Sequence, residues 1–140
     1  MSPKDWNEQV IEEFRANHGR VGGMFEGAPL LLLTHRGAKT GKERTAPLMY
    51  LRDGDRYAVF ASKGGAPSHP DWYRNVLAHP SVTVEVGDER FGAVAHDVTG
   101  AERDELYGRQ SSRYPQFAEY QAKTDRLIPV VALEPTTASP

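Results

Sequence analysis

Thr34 to Tyr50, THRGAKTGKERTAPLMY, decides the fold, because it turns a buried strand back on itself through a positively charged loop. Ahead of the loop, Leu30 to His35 begins as an unbroken apolar run, the pattern of a strand covered on both faces. Behind it, Glu43 to Arg52 alternates, with Arg44 and Ala46 on one face and Thr45 and Pro47 on the other. Arg36 to Lys42 is therefore the loop of a β-hairpin. Arg36, Lys39, Lys42 and Arg44 against the single Glu43 concentrate about +3 charges there, in a chain whose formal net charge is -2. That contrast predicts a site that holds an anion.

Working outward, Asp53-Gly54 is a second hairpin turn and Arg56 to Ser62 a third strand. Beyond Gly64-Gly65 a short helix is predicted from Asp71 to Ala78, stopped by His79-Pro80. Ser81 to Val86 and Glu89 to Val98 are two more strands around Gly87-Asp88. Thr99-Gly100-Ala101-Glu102 has the capping-box pattern and opens a helix through about Arg109. A tyrosine-bearing segment, Ser112 to Lys123, precedes the last strand, Ile128 to Leu133, and Pro135 to Pro140 is read as a frayed tail. At the other end Ser2-Pro3-Lys4-Asp5 is a helix start, followed by Trp6, Val10, Ile11 and Phe14 at helical spacing; Gly19, Gly22, Gly23 and Gly27 then form a connection. The expected organisation is a single domain: residues 1–28 a helix and glycine-rich connection, 29–134 the core, 135–140 the tail. Consecutive hairpins, with a helix between the third and fourth strands, predict an α+β, mainly β, fold. It is a small antiparallel barrel of about six strands with helices packed on its rim.

Composition removes several function classes. The chain has 140 residues and no cysteine, which excludes disulfides, thiolate metal sites, iron–sulfur clusters and cysteine nucleophiles. The N-terminus lacks the apolar region of a secretory signal and no apolar run is long enough to span a bilayer, so a cytoplasmic protein is expected. A sequence pI near 6.2 argues against a nucleic-acid surface. The first helix's apolar face of Trp6, Val10 and Phe14 suits packing on the barrel or peripheral membrane contact; Glu8, Glu12 and Glu13 beside it favour packing.

The motifs narrow the anion. Gly37 to Glu43 has three residues between its glycines where a P-loop has four, lacks the hydroxyl residue after lysine, and leads into a strand where a P-loop leads into a helix. No GxGxxG fingerprint occurs. His18, His35, His69, His79 and His96 are scattered, with no i, i+4 pair on a predicted helix, so no metal site is expected and surface or strand-end positions are favoured. The serines show no nucleophile elbow, and the acids cluster as solvated helix faces. There remain the cationic hairpin, a glycine-flanked Lys63 and the aromatic helix start Trp72-Tyr73. Taken singly, a loop lysine is solvated and Trp72 a core anchor; taken jointly they suit a phosphorylated, planar cofactor.

From about Leu31 to Pro135 the chain resembles the deazaflavin-dependent nitroreductase family, FMN-binding-like split β-barrel oxidoreductases that use the 8-hydroxy-5-deazaflavin coenzyme F-420. LLLTHRGAKTGKERTAPLMYLRDGDRY, ASKGGAPSHPDWYRNVLAHPSVTVEV and YPQFAEYQAKTDRLIPVVALEP carry it, in the family's order and spacing. The resemblance implies that Lys39 and Arg44 grip the cofactor's phosphate, with hydroxyl and backbone donors from Thr40 and Gly41. Arg36 and Lys42 would be outer partners for its oligoglutamate tail. It further implies that Pro47, Leu48 and Met49 line the ring from the second strand, that Phe60, Ala61, Ser62, Lys63 and Gly64 line it from the end of the third, and that Trp72 and Asn75 lie near it.

The activity so implied is hydride transfer from the reduced coenzyme to an electron-poor small molecule of nitroaromatic, quinone or enone type. Ser62, Tyr114 and Tyr120 are the candidates for orienting the acceptor or giving it a proton, tyrosine being protonated at neutral pH. The bland reading is that Tyr114, Phe117 and Tyr120 close the barrel mouth. Asp125-Arg126 is read as a structural turn. Two rivals stand beside this activity: an FMN- or haem-binding barrel, and a non-catalytic deazaflavin carrier. The oligomeric state is left open.

Overall fold

The computed structural model describes residues 3–22 and 27–136, with side chains from Asn7 onward. Six antiparallel strands close a barrel in the order β1, β2, β3, β6, β5, β4: β1 Leu30–Arg36, β2 Glu43–Asp53, β3 Arg56–Phe60, β4 Ser81–Val86, β5 Glu89–Val98 and β6 Val130–Pro135. Pairing of β1 with β4, from Leu32↔Glu85 to Thr34↔Thr83, completes the ring. Four helices surround it: α1 Pro3–Ala16, α2 Asp71–Ala78, α3 Gly100–Arg113 and α4 Gln116–Ala122.

The leucine run of β1 is buried on both sides, as its pattern predicts. Leu31 and Leu33 point into the barrel with Val59, Val84, Val131 and Leu133. Leu30 and Leu32 point outward and lie under Val10 and Phe14 of α1 together with Val21. Each such side chain stabilises the fold by roughly 1.5–3 kcal/mol. The first helix thus spends the apolar positions Val10 and Phe14 on the barrel; Trp6, and the Ser2 cap, lie outside what is described. Among the described residues no helix is long and apolar enough to cross a membrane.

A second outer cluster joins α3 and α4 to β3 and β6. Phe60 is its centre, edge-on to Tyr107 at 5.8 Å and to Phe117 at 5.6 Å. Ion pairs fix α3 from outside: Arg56 binds Asp53 at 2.6 Å and Glu102 at 2.8 Å, and Arg109 reaches Asp53 at 3.4 Å. This corrects the capping box. Thr99 makes no side-chain cap, the Glu102 carboxylate is taken by Arg56 and does not turn back to the Thr99 N–H, and α3 runs on to Arg113, four residues beyond the predicted end. Pro135, read as tail, closes β6 opposite Ala93, and the Thr136 N–H donates to the Gly92 carbonyl at 3.0 Å. Residues 137–140 lie outside the described chain.

One end of the barrel is plugged by α2, whose Trp72, Tyr73 and Val76 join the interior cluster, with the Tyr73 hydroxyl on Asp97 at 3.0 Å. The cationic hairpin tip and the 3-10 turn Lys63–Gly65 emerge at this same end. The fold therefore gathers at one rim the segments that are far apart in sequence.

Candidate cofactor and substrate site

The cationic loop is held by its own backbone. Gly37 N–H donates to the Lys42 carbonyl at 2.8 Å, Gly41 N–H to the Gly37 carbonyl at 2.9 Å, and Lys42 N–H to Thr40 Oγ1 at 3.3 Å. A Cβ on Gly37 would stand 2.6 Å from Thr40 Oγ1, so only glycine lets the threonine fold inward. Ala38 N–H is taken by Asn75 Oδ1 of α2 at 2.9 Å. Within the loop this leaves the N–H groups of Lys39 and Thr40 without a partner among the described residues. The Gly41 amide, expected as a donor, is already engaged; Gly41 supplies the turn, at φ +71°.

Beside those two amides is a cleft of about 260 Å³, lined by Lys39, Thr40 and Arg44 from the hairpin and Asp71, Arg74 and Asn75 from α2. Arg74 was not foreseen from the sequence. Its contact with Asp71, 3.8 Å between two exposed groups, is too loose to neutralise it. Three cations, two free N–H groups and a hydroxyl against one carboxylate suit a phosphate. Arg36 and Lys42 are exposed and stand outside this lining.

His35 supports the cleft from below. It is 5% exposed, its Nδ1 lies 3.0 Å from Asn75 Nδ2, and Asn75 Oδ1 is committed to Ala38. The amide nitrogen must donate, so Nδ1 carries no proton. The histidine, expected at a surface or a strand end, is a buried strand-end group that aims the loop's tether. Burial, and next the Arg44 charge, push its pKa down to about 4. Because the folded value lies below the unfolded one near 6.5, this group leaves stability intact above that pH and removes it as pH falls towards 4. The loss is about 3 kcal/mol in all. Urea midpoints measured between pH 7 and pH 4 are expected to fall, and to fall less steeply in His35→Gln.

The barrel is closed, yet one seam is split. β2 pairs with β1 along its first seven residues, Glu43 to Met49, but its ladder with β3 covers only Tyr50↔Val59 to Asp53↔Arg56. On the β3 side, Glu43 to Met49 has no strand partner. Tyr50 N–H donates towards β1, to the Pro29 carbonyl at 3.1 Å. By alternation, the backbone groups of Thr45, Pro47 and Met49 therefore face the split. Proline, having no N–H to leave unpaired, suits such an edge. Across the split the chain leaves β3 as Ala61, Ser62, Lys63 and Gly64.

That departing segment is fixed by Arg126. Its guanidinium donates to the carbonyls of Ala61 at 3.1 Å, Ser62 at 2.8 Å and Ala66 at 2.8 Å, and to His69 Nδ1 at 3.0 Å. Lys63 adopts φ +47°, a conformation that side-chain-bearing residues pay for, and its Nζ reaches Ser68 Oγ at 3.3 Å. α4 presses on the turn: a Cβ on Gly65 would meet the Tyr120 carbonyl at 2.8 Å.

Not every predicted residue comes to this site. Lys39, Thr40, Arg44 and Asn75 share the cleft, and Pro47 and Met49 flank the split together with Ala61 to Gly64. Leu48 points inward to the barrel core. Phe60 and Trp72, 5% and 7% exposed, are core residues; the first is enclosed by Tyr107 and Phe117, the second plugs the barrel. The tyrosine segment divides: Phe117 is core, while Tyr114 and Tyr120 are half-buried at its two ends. Ser62 makes no side-chain hydrogen bond among the described residues, and no cluster of metal ligands occurs among them.

A profile described as F420H(2)-dependent quinone reductase matches residues 6–135. The chain belongs to this family. An F420H(2)-dependent quinone reductase of Mycobacterium tuberculosis is 44% identical over 126 residues, 86% of this chain and 83% of that protein. A solved F420-H2 dependent reductase is 48% identical, covers 76% of this chain and 94% of its own, and superposes with a TM-score of 0.70. A structure described as a domain-swapped dimer is 42% identical, over 95% and 100% of the two chains, with a TM-score of 0.72. Membership of the F420H(2)-dependent quinone reductase family makes this protein an oxidoreductase whose cofactor is coenzyme F-420. The fold and cofactor implied by the sequence resemblance are thereby borne out.

Proposed function

We propose that this protein reduces quinones with coenzyme F-420, bound with its phosphate in the Lys39–Arg44–Arg74 cleft and its ring in the split beside β2. The observation that carries this reading is the unpaired edge of β2. A strand edge with free backbone groups is rarely left bare, and here it faces a segment that Arg126 holds away from it. A flat ring with polar edges fits such a slot, and a phosphate fits the cations at its upper end.

The bound coenzyme supplies a hydride donor. Lys39, Arg44 and Arg74 neutralise the phosphate, while the Lys39 and Thr40 amides orient it. Thr45, Pro47 and Met49 offer backbone acceptors and one apolar side to the ring. Ser62, whose hydroxyl makes no hydrogen bond among the described residues, serves in this reading as a donor to the ring or to the acceptor. Tyr120 and Tyr114 close the outer side against water. The proposal is tested by mixing the coenzyme-reduced protein with menadione: cofactor absorbance is expected to return to the oxidised form with one hydroquinone formed per coenzyme. Binding of coenzyme without quinone reduction, across several quinones, would instead favour a carrier, and tighter binding of FMN would favour a flavin protein.

A further inference from the structure

Arginine has N–H donors and no acceptor, so every group that Arg126 bonds must offer a lone pair. Three of the four are the carbonyls of Ala61, Ser62 and Ala66, which keep their lone pairs across the physiological pH range. The fourth is Nδ1 of His69, at 3.0 Å, which gives up its lone pair when it takes a proton. The imidazole therefore carries its hydrogen on Nε2, and its neutral form is part of what holds the loop. One guanidinium nitrogen, Nη1, serves both His69 and the Ala61 carbonyl, so the two bonds are not independent.

The surroundings of His69 favour that neutral form. Its ring leans on Tyr73 of α2, with centroids 5.0 Å apart, and the Tyr73 hydroxyl donates to Asp97 of β5. The charged groups facing it are Arg126 ahead of β6, Arg74 of α2 and Asp97. Desolvation, and next the two guanidiniums, outweigh the one carboxylate and hold its pKa below the usual 6.5. Lys63, the cation of the loop itself, is turned to Ser68. His69 also stands where the two halves of the site meet. Before it runs the segment whose Ser62, Lys63 and Gly64 flank the split; after it Pro70 caps α2, which brings Arg74 and Asn75 to the phosphate cleft.

We infer that neutral His69 is a positioning residue for the coenzyme, acting through Arg126 to set Ser62 to Gly64 at their distance from the edge of β2; this rests on the ring lying in the split, as proposed above. A proton taken from solvent onto Nδ1 sets one N–H against another and a second positive charge beside the guanidinium. Arg126 then turns away from His69, and because one planar fork serves all four acceptors, its bonds to the loop carbonyls weaken with it. Since the folded pKa lies below the unfolded one, the contribution is whole above about 6.5 and is lost as pH falls through the folded value.

The test compares wild type with His69→Asn, whose Oδ1 replaces Nδ1 as an acceptor that does not titrate, and with His69→Phe, which keeps a ring on Tyr73 but has no acceptor. Should the asparagine variant not fold, His69→Gln offers the same acceptor. Coenzyme affinity is read by fluorescence titration from pH 7.5 to pH 4.5. The loop is read in coenzyme-free protein by hydrogen exchange of the Gly65 and Ala66 amides, which bond to the Ser62 and Lys63 carbonyls. Wild-type affinity is expected to fall at least fivefold more than that of the asparagine variant over this range, with exchange of the two amides, corrected for its intrinsic pH dependence, quickening in parallel. The phenylalanine variant should be at least fivefold weaker, and its loop faster in exchange, already at pH 7.5. His35, present in every one of these proteins, cancels in the comparison. Coincident wild-type and asparagine curves in both measurements overturn the inference, as does a phenylalanine variant with wild-type affinity and protection at pH 7.5. Loop exchange that follows His69 while coenzyme affinity does not would leave the loop's setting to His69 and overturn the placement of the ring in the split.

Discussion

Replacing Lys39 and Arg44 together by alanine lowers affinity for oxidised coenzyme F-420 by at least a hundredfold, as measured by titration of the cofactor's fluorescence. Each charge-assisted hydrogen bond to a phosphate contributes roughly 1.5–3 kcal/mol, or about 10- to 150-fold in affinity. The cleft keeps only Arg74, two backbone amides and the Thr40 hydroxyl once both are gone. Folding stability should hardly move, because neither side chain makes a hydrogen bond or ion pair among the described residues. Two internal comparisons sharpen the result. Lys42→Ala, outside the lining, should change affinity less than threefold, as expected of a solvated charge. Raising ionic strength should weaken the wild type more than the double variant, since fewer charges remain to be screened. Equal affinities for wild type and double variant would remove the phosphate from this cleft.

The fold was legible because its signals are local. A leucine run, three turn dipeptides and two-residue alternation place all six strands within two residues of their observed limits. The barrel's closure was legible only through the hairpin count. What escaped were choices made between distant groups. Glu102 has the right spacing for a cap, but the guanidinium of Arg56, 46 residues earlier, offers it a stronger partner. Phe60 and Trp72 lie in segments that line the site, yet alternation and helical phase turn their rings into the core, and a sequence segment does not announce which neighbour faces the ligand. The site's split was invisible for the same reason. It arises where the β2–β3 ladder stops, a matter of register between strands.

Arg126 is the residue on which the other half of the site depends, and its truncation should act on stability and cofactor binding together. Its guanidinium satisfies three backbone carbonyls and a histidine nitrogen across the loop from Ala61 to His69. Ala61 is wholly buried, so its carbonyl has no ready access to water. Leaving such acceptors unpaired costs roughly 1–3 kcal/mol each, and partial hydration of Ser62 and Ala66 reduces the sum to about 3–5 kcal/mol. Arg126→Ala is thus expected to lower the urea midpoint markedly. It should also free Ser62 to Gly64 to drift towards the unpaired edge of β2, narrowing the split and weakening coenzyme binding at least tenfold even under conditions where the variant is fully folded. Arg126→Lys retains the charge but gathers its three N–H donors on one nitrogen where a planar fork of three nitrogens served four acceptors, so most of both losses should persist. A lysine variant that kept full coenzyme affinity would show that charge alone, and no fixed geometry of this loop, holds the split open.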